Sequence, residues 1–348
     1  MPALRITGVL LVACLVSPGL AAANDARAAE LPQTMQAAAI DRAGGPEVIS
    51  MHTLPVPKPA ADEVLIAVNT AGVASWDVGL RRHPQSIKHS AFPLVLGTDG
   101  AGLVAAVGAK VQGFKVGEQV YSYSWDNPHG GFYAEYVAVP AERAGHVPSS
   151  LTLRQAGAIA TTGLTAIQGI DDALHLKAGD TLIVHGASGG VGSLALQFAK
   201  LRGVKVLATA TGEDGLAFVK EVGADAAVDG RHGDIAAATH AFAPGGVDAV
   251  LALAGGDTLE RCIDALRPGG RVAFPYGVEP EPKARAGVPI IRHNAIPGVK
   301  EFERLNSAIA AVKFKVPIEA EFPLAEAAKA QERVEAGHIL GKIILRVR

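Results

Sequence analysis

The chain has 348 residues, of which 49% are hydrophobic, and it carries a formal net charge of -2 at pH 7. This size and apolar content allow two domains with full hydrophobic cores, which excludes a disordered or fibrous protein. The balanced charge provides no basic field for a phosphate backbone, so we expect no nucleic-acid partner, and two cysteines cannot form a disulfide framework.

Residues 1–23 have the layout of a secretory signal peptide. Arg5 precedes an apolar run at 6–20, and three alanines follow at 21–23. The run is too short for a stable membrane span. We therefore expect a periplasmic or secreted protein. The alternative is translation from Met35, which would give a cytoplasmic one.

The rest of the chain divides by its hydrophobic pattern. Residues 35–156 contain short β-rich segments separated by glycine and proline, which predicts a barrel-like β domain. Residues 157–297 alternate helices with buried strands, which predicts a doubly wound parallel sheet. Residues 298–348 contain further helical and strand-like segments, and we expect them to return to the first domain.

A glycine-rich turn follows the strand-like segment 181–184 and precedes a helical pattern, with a second strand at 204–209. Glycine lets the backbone approach a pyrophosphate closely, and the start of a helix offers N–H groups and a positive partial charge. This strand, turn, helix and strand order is the context that a dinucleotide-binding turn requires. The predicted cofactor-binding residues here are Ala187, Ser188, Gly189, Gly190, Val191 and Gly192.

The end of the second strand bears on the choice of dinucleotide. It carries Thr209 and Thr211 instead of an acid that would bind the ribose 2′-hydroxyl of NADH and repel a 2′-phosphate. NADPH is therefore favoured, and both threonines are predicted cofactor contacts. NADH stays possible, because Glu213 and Asp214 follow where a cation would be expected. Lys220 would supply this cation only if its helix brought it close to the 2′-phosphate.

Six separate sequence motifs resemble those of the medium-chain dehydrogenase/reductase superfamily, specifically its zinc-independent, quinone oxidoreductase-like branch. They occur in the same order along the chain as in that family. The motifs lie at 44–48, 92–102, 131–136, 162–166, 184–193 and 337–345. The resemblance implies an α/β fold with a GroES-like β-barrel domain and a doubly wound Rossmann domain, with the active site in the cleft between them. It also implies a homodimer.

The sequence departs from zinc-dependent relatives at the metal positions. Where those relatives carry a cysteine and a His-Glu pair, this chain carries Ala74 and then Thr98 and Asp99. A zinc site needs three or four such ligands in fixed geometry, so we predict no metal. Quinone-reducing relatives usually have asparagine at Ala74 and tyrosines at Gly79 and Gln85, so quinone specificity does not follow from the resemblance.

The resemblance also places further residues by position. Thr165 is expected near the nicotinamide, and the ends of later strands are expected to border the ring and ribose. These residues are Leu253, Ala254, Phe274 and Tyr276. The predicted substrate-pocket residues are Ala74, Ser75, Trp76 and Tyr133.

The predicted chemistry is hydride transfer from NADPH to a small-molecule electrophile, a quinone or an enone. With the metal ligands missing, reduction is favoured, because the acceptor's own carbonyl stabilises the developing charge. The proton could come from solvent or from His83 or His89. The alternatives are an alcohol dehydrogenase and a non-catalytic NADPH-binding sensor, which turnover measurements would separate.

Overall fold

The structure is a computed structural model that describes residues 1–2, 31–88 and 91–348. The predicted signal peptide, apart from its first two residues, and His89 lie outside the described residues. Within the described part of the chain, no helix is long and apolar enough to cross a membrane.

The amino-terminal lobe is built from two β-sheets. Its strands are β1 (Thr34–Ile40), β2 (Ile49–Pro55), β3 (Glu63–Val73), β4 (Leu94–Val95), β5 (Asp99–Val107), β6 (Gln119–Tyr123), β7 (Tyr136–Pro140) and β8 (Ala144–His146). The smaller sheet has the order β2-β1-β4. In the larger sheet β3 pairs with both β5 and β7, and its residues Val64, Leu65 and Ile66 are fully buried, so β3 is the central strand of the barrel lobe.

The second lobe is a six-stranded parallel sheet. Its strands are β9 (Thr181–His185), β10 (Lys205–Ala210), β11 (Ala226–Asp229), β12 (Val247–Ala252), β13 (Leu266–Pro275) and β14 (Ile290–His293). They lie in the order β11-β10-β9-β12-β13-β14. Such sheets are covered on both faces, which explains the unbroken apolar run Leu182, Ile183, Val184, all fully buried.

Helices cover the sheets and connect the lobes. They are α1 (Ser75–Arg82), α2 (Leu153–Ala156), α3 (Ala160–Gln168), α4 (Gly190–Leu201), α5 (Gly212–Val222), α6 (Ile235–Phe242), α7 (Asp257–Asp264), α8 (Val299–Ala310) and α9 (Ala327–Glu335). The strand order reverses between β9 and β12, and ligands of open α/β sheets bind at the carboxyl ends of the strands at such a point. The predicted α/β fold of a barrel and a Rossmann domain is confirmed.

The carboxyl-terminal segment contacts both lobes. Its strands β15 (Ile318–Pro323) and β16 (Lys342–Arg346) join the barrel sheet, with β16 antiparallel to β3. Helix α8 does not join a sheet but packs against α3 and β8. Its Phe302 ring contacts the Tyr121 ring edge-on, at 4.8 Å between centroids. Within 298–348, the barrel strands therefore begin at β15.

Candidate active site

The predicted dinucleotide turn lies at the switch point of the parallel sheet, between the end of β9 and the start of α4. Gly186 has a φ of +81°, which favours glycine, and Gly189 is the N-cap residue of α4. Ala187 is fully buried below the turn, whereas Ser188 is half-buried. The first turn of the helix, including Val191, thus stands over the sheet edge, with the N–H groups that a helix leaves without an intrahelical partner.

Gly192 shows why this turn needs glycine. A Cβ on Gly192 would lie 2.5 Å from the carbonyl oxygen of Gly186 and 2.6 Å from the Cα of Ala187. The helix therefore packs directly on the backbone of the turn, and any side chain would push the two apart. This close packing is the feature that holds the helix start where it could meet a pyrophosphate.

Thr209 supports the turn from the neighbouring strand. Its Oγ1 accepts a hydrogen bond from the Gly186 N–H at 3.2 Å and lies 2.8 Å from Nδ1 of His185. Burial lowers the pKa of His185 to about 4, so this ring is neutral at pH 7. Thr209 is itself buried, and its hydroxyl therefore braces the turn instead of facing the cleft.

Thr211 is the N-cap residue of α5, at the end of the sheet where an adenosine ribose would lie. The carboxylate of Asp229 accepts the Gly212 N–H at 3.0 Å there, and backbone hydrogen bonds hold its pKa below the usual range. The Asp214 carboxylate is hydrogen-bonded to Nε2 of His338 at 2.8 Å. Lys220 lies in the last turn of α5, at the opposite end from Gly212, so it does not supply the cation considered from the sequence.

The strand ends expected near the nicotinamide do line up beside the turn. Leu253 directly follows β12 and its N–H donates to the His185 carbonyl at 3.0 Å, while Ala254 next to it is exposed. Phe274 is buried, whereas Tyr276 is 64% exposed, and the Arg292 guanidinium lies over both rings at 5.4 and 6.0 Å. Of the aromatic pair, only the Tyr276 side chain is open to a ligand.

Thr165 lies within α3 and is buried. Its hydroxyl donates to the carbonyl of Thr161, one turn back, at 2.9 Å. In this arrangement its side chain is satisfied by its own helix, so a contact with the nicotinamide stays a prediction.

The predicted substrate-pocket residues Ala74, Ser75 and Trp76 form the start of α1. Ser75 is exposed, and Ala74 is buried at the N-cap position. Trp76 is half-buried, and its Nε1–H donates to Thr98 Oγ1 at 2.8 Å. The structure therefore brings these three residues together on the barrel wall.

Tyr133 does not belong to that wall, and the prediction for it is wrong. Its side chain is fully buried in the barrel core, and a Cβ on Gly97 would fall 2.2 Å from its ring. Burial raises the pKa of Tyr133 well above its usual value, and its hydroxyl lies near the side chains of Asp77 and Gln331. The aromatic residue fills the core instead of facing a ligand. His83, the proton donor considered from the sequence, is exposed at the end of α1.

The structure shows a buried charged cluster that the sequence reasoning missed: Asp77, Asp99 and Lys342. All three side chains are nine-tenths or more buried. Asp77 Oδ2 accepts the Ala74 N–H at 2.8 Å, and Asp99 Oδ2 accepts the Thr161 N–H at 3.0 Å. Burial first, and the Asp99 charge second, raise the pKa of Asp77 to about 7, while Lys342 acts in the opposite direction. No single segment of the sequence signals this cluster, because its members come from distant parts of the chain.

This region does not fit a zinc ion. Ala74 offers only a methyl group, the buried Thr98 hydroxyl is bound to Trp76, and the Lys342 ammonium lies in the same cluster as the acids. Among residues 31–88 and 91–348, no three His, Cys, Asp or Glu side chains converge to hold a metal. A cation already supplied by the chain is poorly compatible with a second one.

Two protein-family models match the chain. One is described as an alcohol dehydrogenase GroES-like domain and covers residues 60–149, and the other is described as a zinc-binding dehydrogenase and covers residues 190–295. With the glycine-rich turn at the switch point of the parallel sheet, they define a two-lobed NAD(P)H-dependent oxidoreductase.

Comparison with individual proteins identifies the family of this chain more narrowly. The quinone oxidoreductase of Mus musculus is 32% identical over 326 residues, covering 89% of this chain and 97% of the mouse protein. A solved NAD-dependent alcohol dehydrogenase is 31% identical with a TM-score of 0.83, covering 90% of this chain and all of that one. A mycobacterial protein complexed with NADPH is 28% identical with a TM-score of 0.80, at the same coverage. The chain belongs to the medium-chain dehydrogenase/reductase superfamily, in its quinone oxidoreductase-like branch.

Proposed function

We propose that this protein is a zinc-independent, NADPH-dependent reductase that transfers hydride to quinones, enones or related electrophiles. The observation that carries the proposal is the presence of two features together in this chain. A close-packed dinucleotide turn stands at the start of α4, and the barrel wall at Ala74 and Thr98 lacks the side chains that hold zinc.

The residues present fit NADPH. The turn brings only glycines and small side chains to the helix start, which leaves the space that a pyrophosphate needs. Thr209 and Thr211 replace the acid that would repel a 2′-phosphate. The NADPH complex of the mycobacterial relative supports the same assignment. When bound, NADPH would supply the hydride.

The chain's own residues would orient the acceptor and exclude water. The half-buried indole of Trp76 offers a flat apolar surface for an unsaturated acceptor, and Tyr276 offers another on the opposite lobe. After hydride addition the electron pair moves to the acceptor's carbonyl oxygen, which then takes a proton from solvent. The asparagine and tyrosines usual in quinone-reducing relatives are replaced here, so enones are included with quinones.

The test is NADPH oxidation by the purified protein, followed at the nicotinamide absorbance. We would use 1,2-naphthoquinone and an alkyl enone as separate acceptors, with NADH in parallel and zinc measured by elemental analysis. Turnover with either acceptor and no stoichiometric zinc would support the proposal. Saturable NADPH binding without turnover would favour a sensor, and alcohol oxidation with stoichiometric zinc would favour an alcohol dehydrogenase.

We also propose that residues 1–23 direct export and that the protein is a homodimer. The support for export is the charged, apolar and small-residue order of that segment. Amino-terminal sequencing of protein from a periplasmic fraction would test cleavage, and sedimentation would test the dimer. An uncleaved amino terminus and a monomer would contradict these two proposals.

A further inference from the structure

Lys342 is attached to the dinucleotide turn through the backbone of its neighbour Gly341 and through its own side chain. The preceding Gly341 donates its N–H to the Ser188 carbonyl at 2.8 Å and forms an isolated parallel bridge with Gly189. The Lys342 Cδ lies 3.3 Å from the position that a Cβ on Gly190 would take. The stem of this lysine therefore runs directly along the start of α4.

The other end of Lys342 reaches the barrel wall. Its ammonium lies 4.8 Å from the centroid of the Trp76 ring, which is cation–π geometry. The Nζ atom is buried and has no hydrogen-bond partner among the described residues. Trp76 is the contact that this cation makes with the barrel wall, while the Asp77 carboxyl interacts with its charge at longer range.

Trp76 is fixed from two sides. Its Nε1–H is bound to Thr98 Oγ1 at one edge, and the Lys342 ammonium lies over its face. A shift of the dinucleotide turn would move Gly341 and Lys342 with it, and the ammonium would carry that shift to the indole. Two sites on different lobes are thus joined by one side chain.

We propose that Lys342 is a positioning residue that couples the dinucleotide turn to the substrate wall by holding the Trp76 indole. The proposal rests on the proposed function for the identity of the two ligands. Lys342 acts through Trp76, so its loss should alter how the acceptor is held without abolishing cofactor binding.

Trp76 fluorescence gives a direct readout, because the chain has two tryptophans, Trp76 and Trp125. In a Trp125→Phe background, NADP⁺ should shift the emission of Trp76. Lys342→Met in that background should remove the shift, while calorimetry shows an NADP⁺ Kd within about threefold of the parent. Lys329→Met is the matched control, because Lys329 is exposed on α9 and, among the residues that the structure describes, forms an ion pair with Glu326 alone.

Two results would overturn the proposal at this stage. One is an unchanged emission shift in Lys342→Met. The other is complete loss of NADP⁺ binding, which would make Lys342 a direct cofactor ligand. If Lys342→Met does not fold, the double variant D99N/K342M takes its place, because it removes the Asp99 and Lys342 charges together. The reference protein for this comparison is then D99N.

A kinetic cycle tests the coupling with Trp76 independently. Trp76→Leu and Lys342→Met should each raise the KM for the acceptor about tenfold, and the double variant should raise it no further. Multiplying effects, about a hundredfold in the double variant, would show that the residues act separately and would refute the proposal. Wild-type protein that binds no NADP⁺ would instead show that the proposed function itself is wrong.

Discussion

Arg81 and Gln331 lie 250 residues apart in the chain and are joined inside the barrel lobe by a hydrogen bond of 2.8 Å from Nη1 to Oε1. The Arg81 side chain is fully buried, and it also donates to Glu335 at 2.8 Å and to the Gly44 carbonyl at 3.0 Å. This one guanidinium therefore fixes α9, from the carboxyl-terminal segment, to α1, which carries Trp76.

Arg81→Met should destabilise the protein by about 3–5 kcal/mol, because it removes one partner of a buried ion pair and leaves polar groups without partners. Urea unfolding at pH 7 measures the change. Arg82→Met is the control, since Arg82 is exposed and shares the same Glu335, and it should cost at most about 1 kcal/mol. Equal losses in the two variants would contradict this account.

Asp77→Asn should stabilise the protein relative to wild type increasingly between pH 4 and pH 7. The Asp77 carboxyl has a pKa of about 7 in the folded protein and near 3.9 when unfolded. In that window the folded state binds more protons than the unfolded state, so wild-type stability falls as the pH rises. The full difference, on the order of 4 kcal/mol, should be present above pH 7.

Chemical denaturation at several pH values measures the Asp77 effect, and Asp214→Asn is its control. The His338 hydrogen bond lowers the pKa of Asp214, so this exposed acid contributes stability that is lost as the pH falls. The two substitutions should therefore give pH dependences of opposite sign. A flat difference between Asp77→Asn and wild type would show that Asp77 titrates normally.

Gly192→Ala should weaken NADP⁺ binding more than tenfold and reduce stability by about 1–3 kcal/mol, because the new Cβ would collide with the backbone of Gly186 and Ala187. Calorimetry and thermal unfolding measure the two effects. Gly245→Ala is matched to it, since a Cβ there meets nothing within 4 Å and the backbone is unstrained. Unaltered NADP⁺ affinity in Gly192→Ala would exclude this turn as the pyrophosphate site.

Thr209→Val should lower the free energy of unfolding by about 2 kcal/mol, because it leaves the Gly186 N–H and the His185 ring nitrogen without their buried partner. We expect the loosened turn to bind NADP⁺ about tenfold more weakly. Thr211→Val should have a smaller effect on stability, since the Thr211 side chain makes no capping hydrogen bond. A larger loss in Thr211→Val would reverse the roles assigned to the two threonines.

Local patterns predicted the dinucleotide turn and both lobes well, because glycine spacing and hydrophobic periodicity are properties of short segments. Pro268 is a residue that a helix cannot contain in its interior, yet α7 ends earlier, at Asp264, and β13 already begins at Leu266. The parallel sheet includes residues on both sides of the proline, because Val247 of β12 pairs with Leu266 and Ala249 pairs with Arg271. Element ends depend on such neighbours, which no single segment shows.

The charged cluster could not be predicted, because its members come from three distant parts of the chain. Asp77 reads as an ordinary helix residue and Lys342 as the start of a strand, and only the packing of β16 on the barrel brings them together. The prediction for Tyr133 was wrong for a related reason. The sequence of a motif does not show whether an aromatic residue fills the core or faces a ligand, because that depends on the packing around it.

The position of β16 also makes the barrel lobe depend on pairing between distant parts of the sequence. Residues 343–346 pair with residues 70–73 of β3. Val347 donates its N–H to the Asn69 carbonyl, and the Arg348 guanidinium lies 4.3 Å from the Tyr136 ring. Contacts so far apart in sequence form slowly, because a large loop must close before they are made. Removal of residues 343–348 would leave this part of β3 with an open edge.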